Sequence, residues 1–423
     1  MPVRVHSELV AEKVVESKSM KTLNVVLGLV LFALLAWFLA AHQSQIRASV
    51  TDRDSIAYWA AAKLLVHHQD PYSAPNVLAL ERSQGYQADK PLVLRTPPWS
   101  LWMVLPLGLL NAYWAWVVWL AVLLASLFLS MRISWRMYGD GGIRPPTVFL
   151  LSGYLFAPVA ACLVAGQLGL VLLLGIVLFF VFEERHPWLA GAALLIPFAK
   201  PHLFSLLWPI LAIWIASRKK WSLAGGFALA FSSSVVIAWA FDPAVFWHYR
   251  EMLRQSSIQY EFIPALSGVL RLIFFRRFFW AQFLPLVAGL LWSGWYYSKN
   301  RRIWSWKEHG PALLVVSVLA TPYAWITDEA ILLPAILQGV LWVYRSKSNL
   351  TLKSQLAIFA FACLDGLLLL ILRAKIPFAD GIYFWSSLVW VSWYWYARRF
   401  RSSQAPVAAT GADPESLVEG RRW

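Results

Sequence analysis

The chain has 423 residues, of which 59% are hydrophobic, 14% are charged and 26 are Trp. This composition excludes a soluble domain and predicts an all-α, polytopic membrane protein. The formal net charge is +15, but the basic residues lie in short clusters between apolar runs, as cytoplasmic loops do under the positive-inside rule, so nucleic-acid binding is not expected.

The apolar runs predict about twelve membrane-spanning helices in a single domain over residues 22–400. Polar, disordered cytoplasmic tails are predicted at 1–21 and 401–423. The first run lacks an obvious signal-peptidase site and is interpreted as a retained span. The predicted spans are 22–42, 112–131, 147–165, 168–183, 187–199, 201–216, 222–241, 278–298, 309–326, 329–345, 352–373 and 380–397.

Two long stretches between spans are predicted on the outer side of the membrane. The first outer loop, 43–96, contains a helix-like segment from Ser55 to about His68. The second outer loop, 243–277, contains a segment from Ile263 to Phe275 that has the pattern of an interfacial amphipathic helix.

Residues 97–110 are apolar, but a full span there would move the basic loop 132–146 to the outside, so a half-inserted segment is predicted. Two prolines begin this segment, since proline starts a helix without needing a donor. Arg95 precedes them and is a candidate phosphate contact. The alternative for Arg95 is a side chain that snorkels at the interface.

A carboxylate pair, Asp52 and Asp54, follows the first apolar run by about ten residues. Asp54 is the first candidate for a catalytic residue and Asp52 the second; the alternative is that Asp54 only caps a helix. Tyr58 lies at position i+4 from Asp54, on the same helical face, and is a candidate substrate contact. Its alternative role is interfacial anchoring.

Lys200 lies at the vertex Ala199-Lys200-Pro201-His202 between two short apolar runs. A cation at a break between half-spans requires a cavity or a counter-ion, so Lys200 either binds an anionic phosphate or forms a structural ion pair. His202 is a further candidate substrate contact. Gln167 stands at another such break and either contacts substrate or satisfies freed backbone groups.

A third break carries Tyr323 and, at the start of the next predicted span, Asp328. Both are candidate substrate contacts, and the alternative for Asp328 is helix capping. With the basic loops facing inward, Asp54, Gln167, Lys200 and the segment around Tyr323 all fall on the outer side. The chain offers no metal-ligand motif with convincing spacing, so no metal and no cofactor are expected.

The order of these motifs carries further information. In chain order they are Asp54-x3-Tyr58 with Ala60 to Ala62, Asp70-Pro71-Tyr72, Thr96-Pro97-Pro98, Gly166-Gln167, Ala199-Lys200-Pro201, Thr321-Pro322-Tyr323-Ala324-Trp325, Asp328 and Leu332-Leu333-Pro334. Over roughly 22–345 this order resembles glycosyltransferase family 87, within the C-type fold of polyprenyl-phosphate-dependent membrane glycosyltransferases.

The resemblance implies a catalytic Asp, carried onto Asp54, that acts as general base on an acceptor hydroxyl. That hydroxyl attacks, with inversion, the anomeric carbon of a sugar linked to a lipid phosphate. Lys200, with Arg95, is expected near the leaving phosphate, and no nucleotide is required. Members often carry His where this chain has Tyr323, and Asn where it has Leu168-Gly169.

The implied partners are a polyprenyl-phosphate sugar donor of the mannose or arabinofuranose class, a cell-envelope glycan or glycolipid acceptor, and the lipid bilayer. The implied location is the inner, cytoplasmic membrane, with the active site on its extracytoplasmic face. Two hypotheses from other classes stay open. One is a transporter or flippase for a lipid-linked sugar, and the other is a non-catalytic envelope-assembly protein, which the Tyr323 departure keeps in play.

Overall fold

A computed structural model describes residue 41 and residues 53–139, 144–256, 263, 265–346, 352–374 and 385–401. Within these ranges the chain is helical and contains no β-strand, which confirms the all-α prediction. The predicted first span, apart from residue 41, and the two predicted tails, apart from residue 401, lie outside the described residues, and so does Asp52.

Several of the connections between the α-helices contain 3-10 turns. The α-helices are α1 (Asp54–Val66), α2 (Ala74–Ser83), α3 (Ala112–Tyr138), α4 (Thr147–Tyr154), α5 (Ala157–Ala165), α6 (Gly169–Phe182), α7 (Pro187–Ala193), α8 (Leu207–Arg218), α9 (Trp221–Phe241), α10 (Val245–Gln255), α11 (Leu266–Phe274), α12 (Leu284–Asn300), α13 (Trp306–Ala320), α14 (Leu333–Arg345), α15 (Leu352–Ala374) and α16 (Ser386–Arg398).

Three of the described helices are long and apolar enough to cross a membrane: α3, α9 and the part of α15 from Lys353 to Ile371. The pair α4 and α5, bent by 41°, adds a fourth crossing if the two helices form one span. These helices confirm a membrane protein. Other predicted spans coincide with shorter apolar helices such as α6 and α8, so the number twelve and the C-type arrangement stay predictions.

Two glycines allow α7 and α9 to pack closely together beside the break at Lys200. A Cβ on Gly191 of α7 would collide with the carbonyl of Leu223 in α9, and a Cβ on Gly226 would collide with the carbonyl of Trp188. Small residues permit this backbone approach between apolar helices. The α7–α9 pair thereby holds the N-terminal side of the Lys200 vertex.

The vertex itself consists of two 3-10 helices, Pro197–Ala199 and Pro201–Phe204, which meet at Lys200. Each begins with proline, which lacks the N–H that a continuous α-helix would need. Residues 97–110, predicted to be half-inserted, form the 3-10 helices Pro98–Met103 and Leu105–Leu109. The indole N–H of Trp99 donates to the carbonyl of Phe198 at 3.0 Å, so this segment packs on the vertex.

The break after α13, like the break at Lys200, is caused by a proline. Thr321 precedes Pro322 and is extended, with φ −62° and ψ 142°, because the proline ring disfavours helical geometry in the residue before it. The second outer loop and the segment that follows it both contact this break. The hydroxyl of Ser267 in α11 donates to the carbonyl of Thr321 at 2.8 Å, and the Gln282 amide donates to the carbonyl of Pro322 at 2.5 Å.

Candidate functional site

Three of the predicted site residues, Asp54, Tyr58 and Lys200, contact the side chain of a fourth, Gln167. Its amide nitrogen donates to Asp54 Oδ2 at 2.5 Å, and its amide oxygen accepts from the Tyr58 hydroxyl at 2.9 Å and from Lys200 Nζ at 3.2 Å. The opposite amide orientation would direct N–H donors at the Lys200 ammonium, so the chemistry of the partners determines the orientation. Gln167 therefore links the first outer loop to the Lys200 vertex.

A left-handed glycine places Gln167 at this position. Helix α5 ends at Gly166, whose φ is +72°, a conformation that glycine adopts without a Cβ penalty. The Gln167 N–H donates back to the carbonyl of Cys162 at 3.0 Å, and the Gly166 carbonyl accepts the indole N–H of Trp119 at 2.7 Å. A Cβ on Gly166 would lie 2.7 Å from the Cβ of Ser55, so the turn packs directly against the start of α1.

Asp54 is the first residue of α1, and Arg53 occupies the N-cap position without a side-chain capping bond. The Asp54 carboxylate turns instead toward Gln167, so the capping alternative is wrong. Burial raises the pKa of this carboxyl above its ordinary value, while the hydrogen bond from Gln167 and the charge of Lys200 act in the opposite direction. A carboxylate with a raised pKa is a better proton acceptor than an exposed one.

Lys200 has a counter-ion. Its ammonium lies 2.7 Å from Asp328 Oδ1, and the exposed fractions of the two side chains are 14% and 1%. The second oxygen of Asp328 accepts the backbone N–H of Trp325 at 3.1 Å. The sequence predicted that Lys200 faces a cavity or a counter-ion, and the counter-ion is confirmed. Asp328 is therefore an ion-pair partner and not a helix cap.

Glu329, the residue after Asp328, contacts α16. It accepts hydrogen bonds from the Ser386 hydroxyl at 2.5 Å and from the Trp390 indole at 3.0 Å, both in α16. Asp328 and Glu329 therefore have different partners. Asp328 belongs to the cluster around Gln167, and Glu329 anchors the C-terminal helix.

His202 and Tyr323 form the edge of the cluster on the side of the Lys200 vertex. Their rings meet edge to face at a centroid distance of 5.7 Å, and the His202 carbonyl accepts the Thr321 hydroxyl at 3.0 Å. The Nε2 atom of His202 is buried and has no hydrogen-bond partner among the described residues. An imidazole thus lies beside Tyr323, the position at which the resembling family often carries His.

The remaining predicted residues lie elsewhere. Arg95 is exposed on the loop before Thr96, and the Thr96 carbonyl accepts the Tyr72 hydroxyl at 2.9 Å. Asp52 is outside the described residues. Contact of either residue with a substrate stays a prediction.

Sequence reasoning missed one charged cluster between the two outer loops. His248 Nδ1 lies 2.7 Å from Asp242 Oδ2 and 3.7 Å from Asp70 Oδ1. The three side chains offer ligand atoms within 4.8 Å of one another, a spacing that can hold a divalent cation. The Asp70 carboxylate also accepts the N–H of Tyr72 at 2.8 Å. Asp242 and His248 are too distant from Asp70 in sequence to form a spacing motif. The absence of a metal cofactor stays a prediction.

Comparison with known proteins gives one match. The family model of glycosyltransferase family 87 matches residues 96–364. No curated protein and no solved structure matches the chain. The matched range includes Gln167, Lys200 and Asp328 but begins after Asp54, which is joined to it by the hydrogen bond to Gln167.

Proposed function

The chain belongs to glycosyltransferase family 87 and is therefore a membrane glycosyltransferase, and from this premise we propose its donor and mechanism. The donor is a polyprenyl-phosphate sugar of the mannose or arabinofuranose class. The acceptor is a hydroxyl of a cell-envelope glycan or glycolipid, and the transfer inverts the anomeric centre. The observation that carries the proposal is the half-buried carboxylate of Asp54, held by Gln167 beside Lys200.

In this mechanism Asp54 is the general base. It takes the proton of the acceptor hydroxyl as that oxygen attacks the anomeric carbon. The new glycosidic C–O bond forms while the bond between the anomeric carbon and the phosphate oxygen breaks, and the electron pair leaves with the phosphate. The Gln167 hydrogen bond fixes the Asp54 rotamer, which favours a productive approach of the hydroxyl.

Lys200 is the proposed contact for the leaving phosphate. The described residues supply two acceptors for its ammonium, Asp328 and Gln167, and an ammonium has three donors. Asp54, Lys200 and Asp328 together carry one net negative charge when all are ionised. Because the carboxylates repel an anion, a lipid phosphate is expected to approach the Lys200 ammonium from the side away from Asp54. The exposed Arg95 adds positive charge on the first outer loop.

His202, Tyr323 and Tyr58 are the proposed positioning contacts. The buried Nε2 of His202 offers a hydrogen bond that the described protein does not use, and a sugar hydroxyl or phosphate oxygen would satisfy it. Tyr323 lies beside it and presents a phenol where relatives present an imidazole. Both outer loops converge on this region, which supports an extracytoplasmic active site in the cytoplasmic membrane.

The decisive experiment measures transfer by the purified protein from polyprenyl-phosphate mannose and from polyprenyl-phosphate arabinofuranose to a cell-envelope glycolipid fraction. Loss of the base in Asp54→Asn is expected to lower the rate by about 10²- to 10⁴-fold. Asp89→Asn is the matched control, because Asp89 lies on the same outer loop and is fully exposed beside Arg82. Asp52→Asn is expected to keep the rate within a few-fold of wild type.

Full activity of the Asp54→Asn, Asp52→Asn double variant would reject the base assignment. Translocation of the donor lipid in liposomes without any transfer would favour the flippase hypothesis. A protein that neither transfers nor translocates but is required for envelope assembly would favour the non-catalytic hypothesis, with Tyr323 as the residue to examine first.

A further inference from the structure

A polar cavity lies far from the candidate site, where α3, α13, α14 and α16 end or begin together. Its volume is about 770 Å³. Three arginines, Arg345, Arg398 and Arg401, line it together with Glu308 and Trp342. We call it the arginine pocket.

The described lining of the arginine pocket carries more positive than negative charge. Arg398 and Arg401 lie beside one carboxylate among the described lining residues, Glu308, which is 3.1 Å from Arg401. The third guanidinium, that of Arg345, donates to the carbonyl of Tyr138. Arg398 lies over the aromatic rings of Tyr296 and Trp395 at 5.5 Å and 4.9 Å from their centroids. A positively charged cavity of this kind attracts an anion, and guanidinium groups bind phosphate oxygens through paired, charge-assisted hydrogen bonds.

The position of the arginine pocket identifies the source of such an anion. Trp119 of α3 contacts the candidate site through Gly166 at 2.7 Å, and Tyr138 of the same helix lines the pocket. Tyr138 follows Trp119 by 19 positions along α3, which corresponds to about 28 Å at 1.5 Å per residue. This length is close to the roughly 30 Å of a bilayer's hydrocarbon core. The two sites therefore lie toward opposite ends of α3, a helix long and apolar enough to cross a membrane.

The walls of the arginine pocket also suit a lipid. Trp342 lies beside Arg401, with the guanidinium 6.0 Å from its ring, and aromatic rings with basic side chains are the usual lining of headgroup sites at the interface. The side chains of Arg401 and Glu308 are 38% and 44% exposed, so a headgroup can enter from the interface. The sequence predicts the end of α16 on the cytoplasmic side, where anionic lipids are concentrated.

We propose that the arginine pocket binds the phosphate of an anionic phospholipid at the membrane surface opposite to the candidate glycosyltransferase site. The inference rests on the cavity, its charges and its distance from Gln167 along α3. It does not depend on the identity of the sugar donor or on the role of Asp54.

The test compares lipid binding by the purified full chain in detergent micelles. Phosphatidylglycerol, phosphatidylcholine and inorganic phosphate are titrated separately, and bound lipid is counted by native mass spectrometry while the unfolding temperature is measured. Phosphatidylglycerol is expected to bind and to raise the unfolding temperature, and phosphatidylcholine and inorganic phosphate are expected to have little effect. Arg401→Gln should weaken phosphatidylglycerol binding about ten-fold, since one charge-assisted hydrogen bond is lost.

The double variant Arg398→Gln, Arg401→Gln should remove the phosphatidylglycerol effect. The double variant Lys299→Gln, Arg302→Gln is the matched control: it removes the same charge from a neighbouring basic segment that does not line the pocket. Equal losses in the two double variants would overturn the proposal, because the effect would then follow net charge alone. An equal response to inorganic phosphate would overturn the lipid assignment, and Arg401→Gln alone keeps the test available if the double variant does not fold.

Discussion

Replacing Lys200 by Met tests the centre of the candidate site. The change removes the cation from Asp328, whose side chain is 1% exposed, and leaves that carboxylate buried without its counter-ion. It also removes one of the two donors to the amide oxygen of Gln167. We expect Lys200→Met to be strongly destabilising although Met fills a similar volume.

The distance and burial of the pair set the magnitude. Two unit charges at 2.7 Å attract by about 6 kcal/mol at an effective dielectric constant near 20. Removing one partner of a buried pair costs about 3–5 kcal/mol, because the remaining charge stays desolvated. Lys200 keeps 14% exposure, so we expect the lower end, about 3 kcal/mol.

The double variant Lys200→Met, Asp328→Asn should recover most of this loss. It removes both charges, and Asn keeps an oxygen for the N–H of Trp325, so a stability within about 1 kcal/mol of wild type is expected. The assay is reversible unfolding in mixed micelles titrated with dodecyl sulfate and followed by Trp fluorescence. Lys299→Met, at an exposed position, is the control. A Lys200→Met protein as stable as wild type, or a double variant as unstable as the single one, would refute a buried ion pair.

Three further changes test the surroundings of the cluster and the first outer loop. Gln167→Leu removes the hydrogen bond that lowers the pKa of Asp54, so the acid limb of the rate profile against pH should move to higher pH; an unmoved limb would mean that Asp54 is not the titrating base. Gly166→Ala introduces a Cβ at φ +72° that meets Ser55 at 2.7 Å, and should cost about 2–3 kcal/mol of unfolding free energy and lower the transfer rate; equal stability would show that the turn can relax. Burial raises the pKa of Glu81 from its ordinary value of 4.5 to about 7. The free energy of unfolding should therefore fall as the pH rises from 4.5 to 7, because the buried carboxyl loses its proton. Glu81→Gln should be more stable than wild type by about 1–2 kcal/mol at pH 8, and its stability should depend less on pH.

Local backbone chemistry explains which parts of the fold were predictable. The helix from Ser55 to about His68 is observed as α1, and the helix in the second outer loop is observed as α11. The breaks at Gly166, Lys200 and Thr321 were predictable because glycine and proline act on their own residue and its neighbour. The prediction that these breaks converge came from placing the basic loops on one side of the membrane and the polar interruptions on the other.

Span number was harder to predict because composition does not show where a hydrophobic run bends. Within the described residues, three or four crossings satisfy the criteria of length and apolarity. Short helices such as α6 and α8 are as apolar as spans but end after 14 and 12 residues. Whether they cross the membrane depends on neighbours that the hydropathy of the chain does not contain.

The sequence alone established a helical membrane protein with a carboxylate, an amide and a cation at successive interruptions, because composition, charge distribution and turn chemistry are properties of short segments. Only the tertiary structure showed which of these side chains contact one another. Lys200 forms an ion pair with Asp328, the Asp54 carboxylate faces Gln167 instead of capping α1, and the His202 ring lies beside Tyr323. These are choices of partner among residues more than a hundred positions apart, and such pairings are determined by how the helices pack and not by any local pattern.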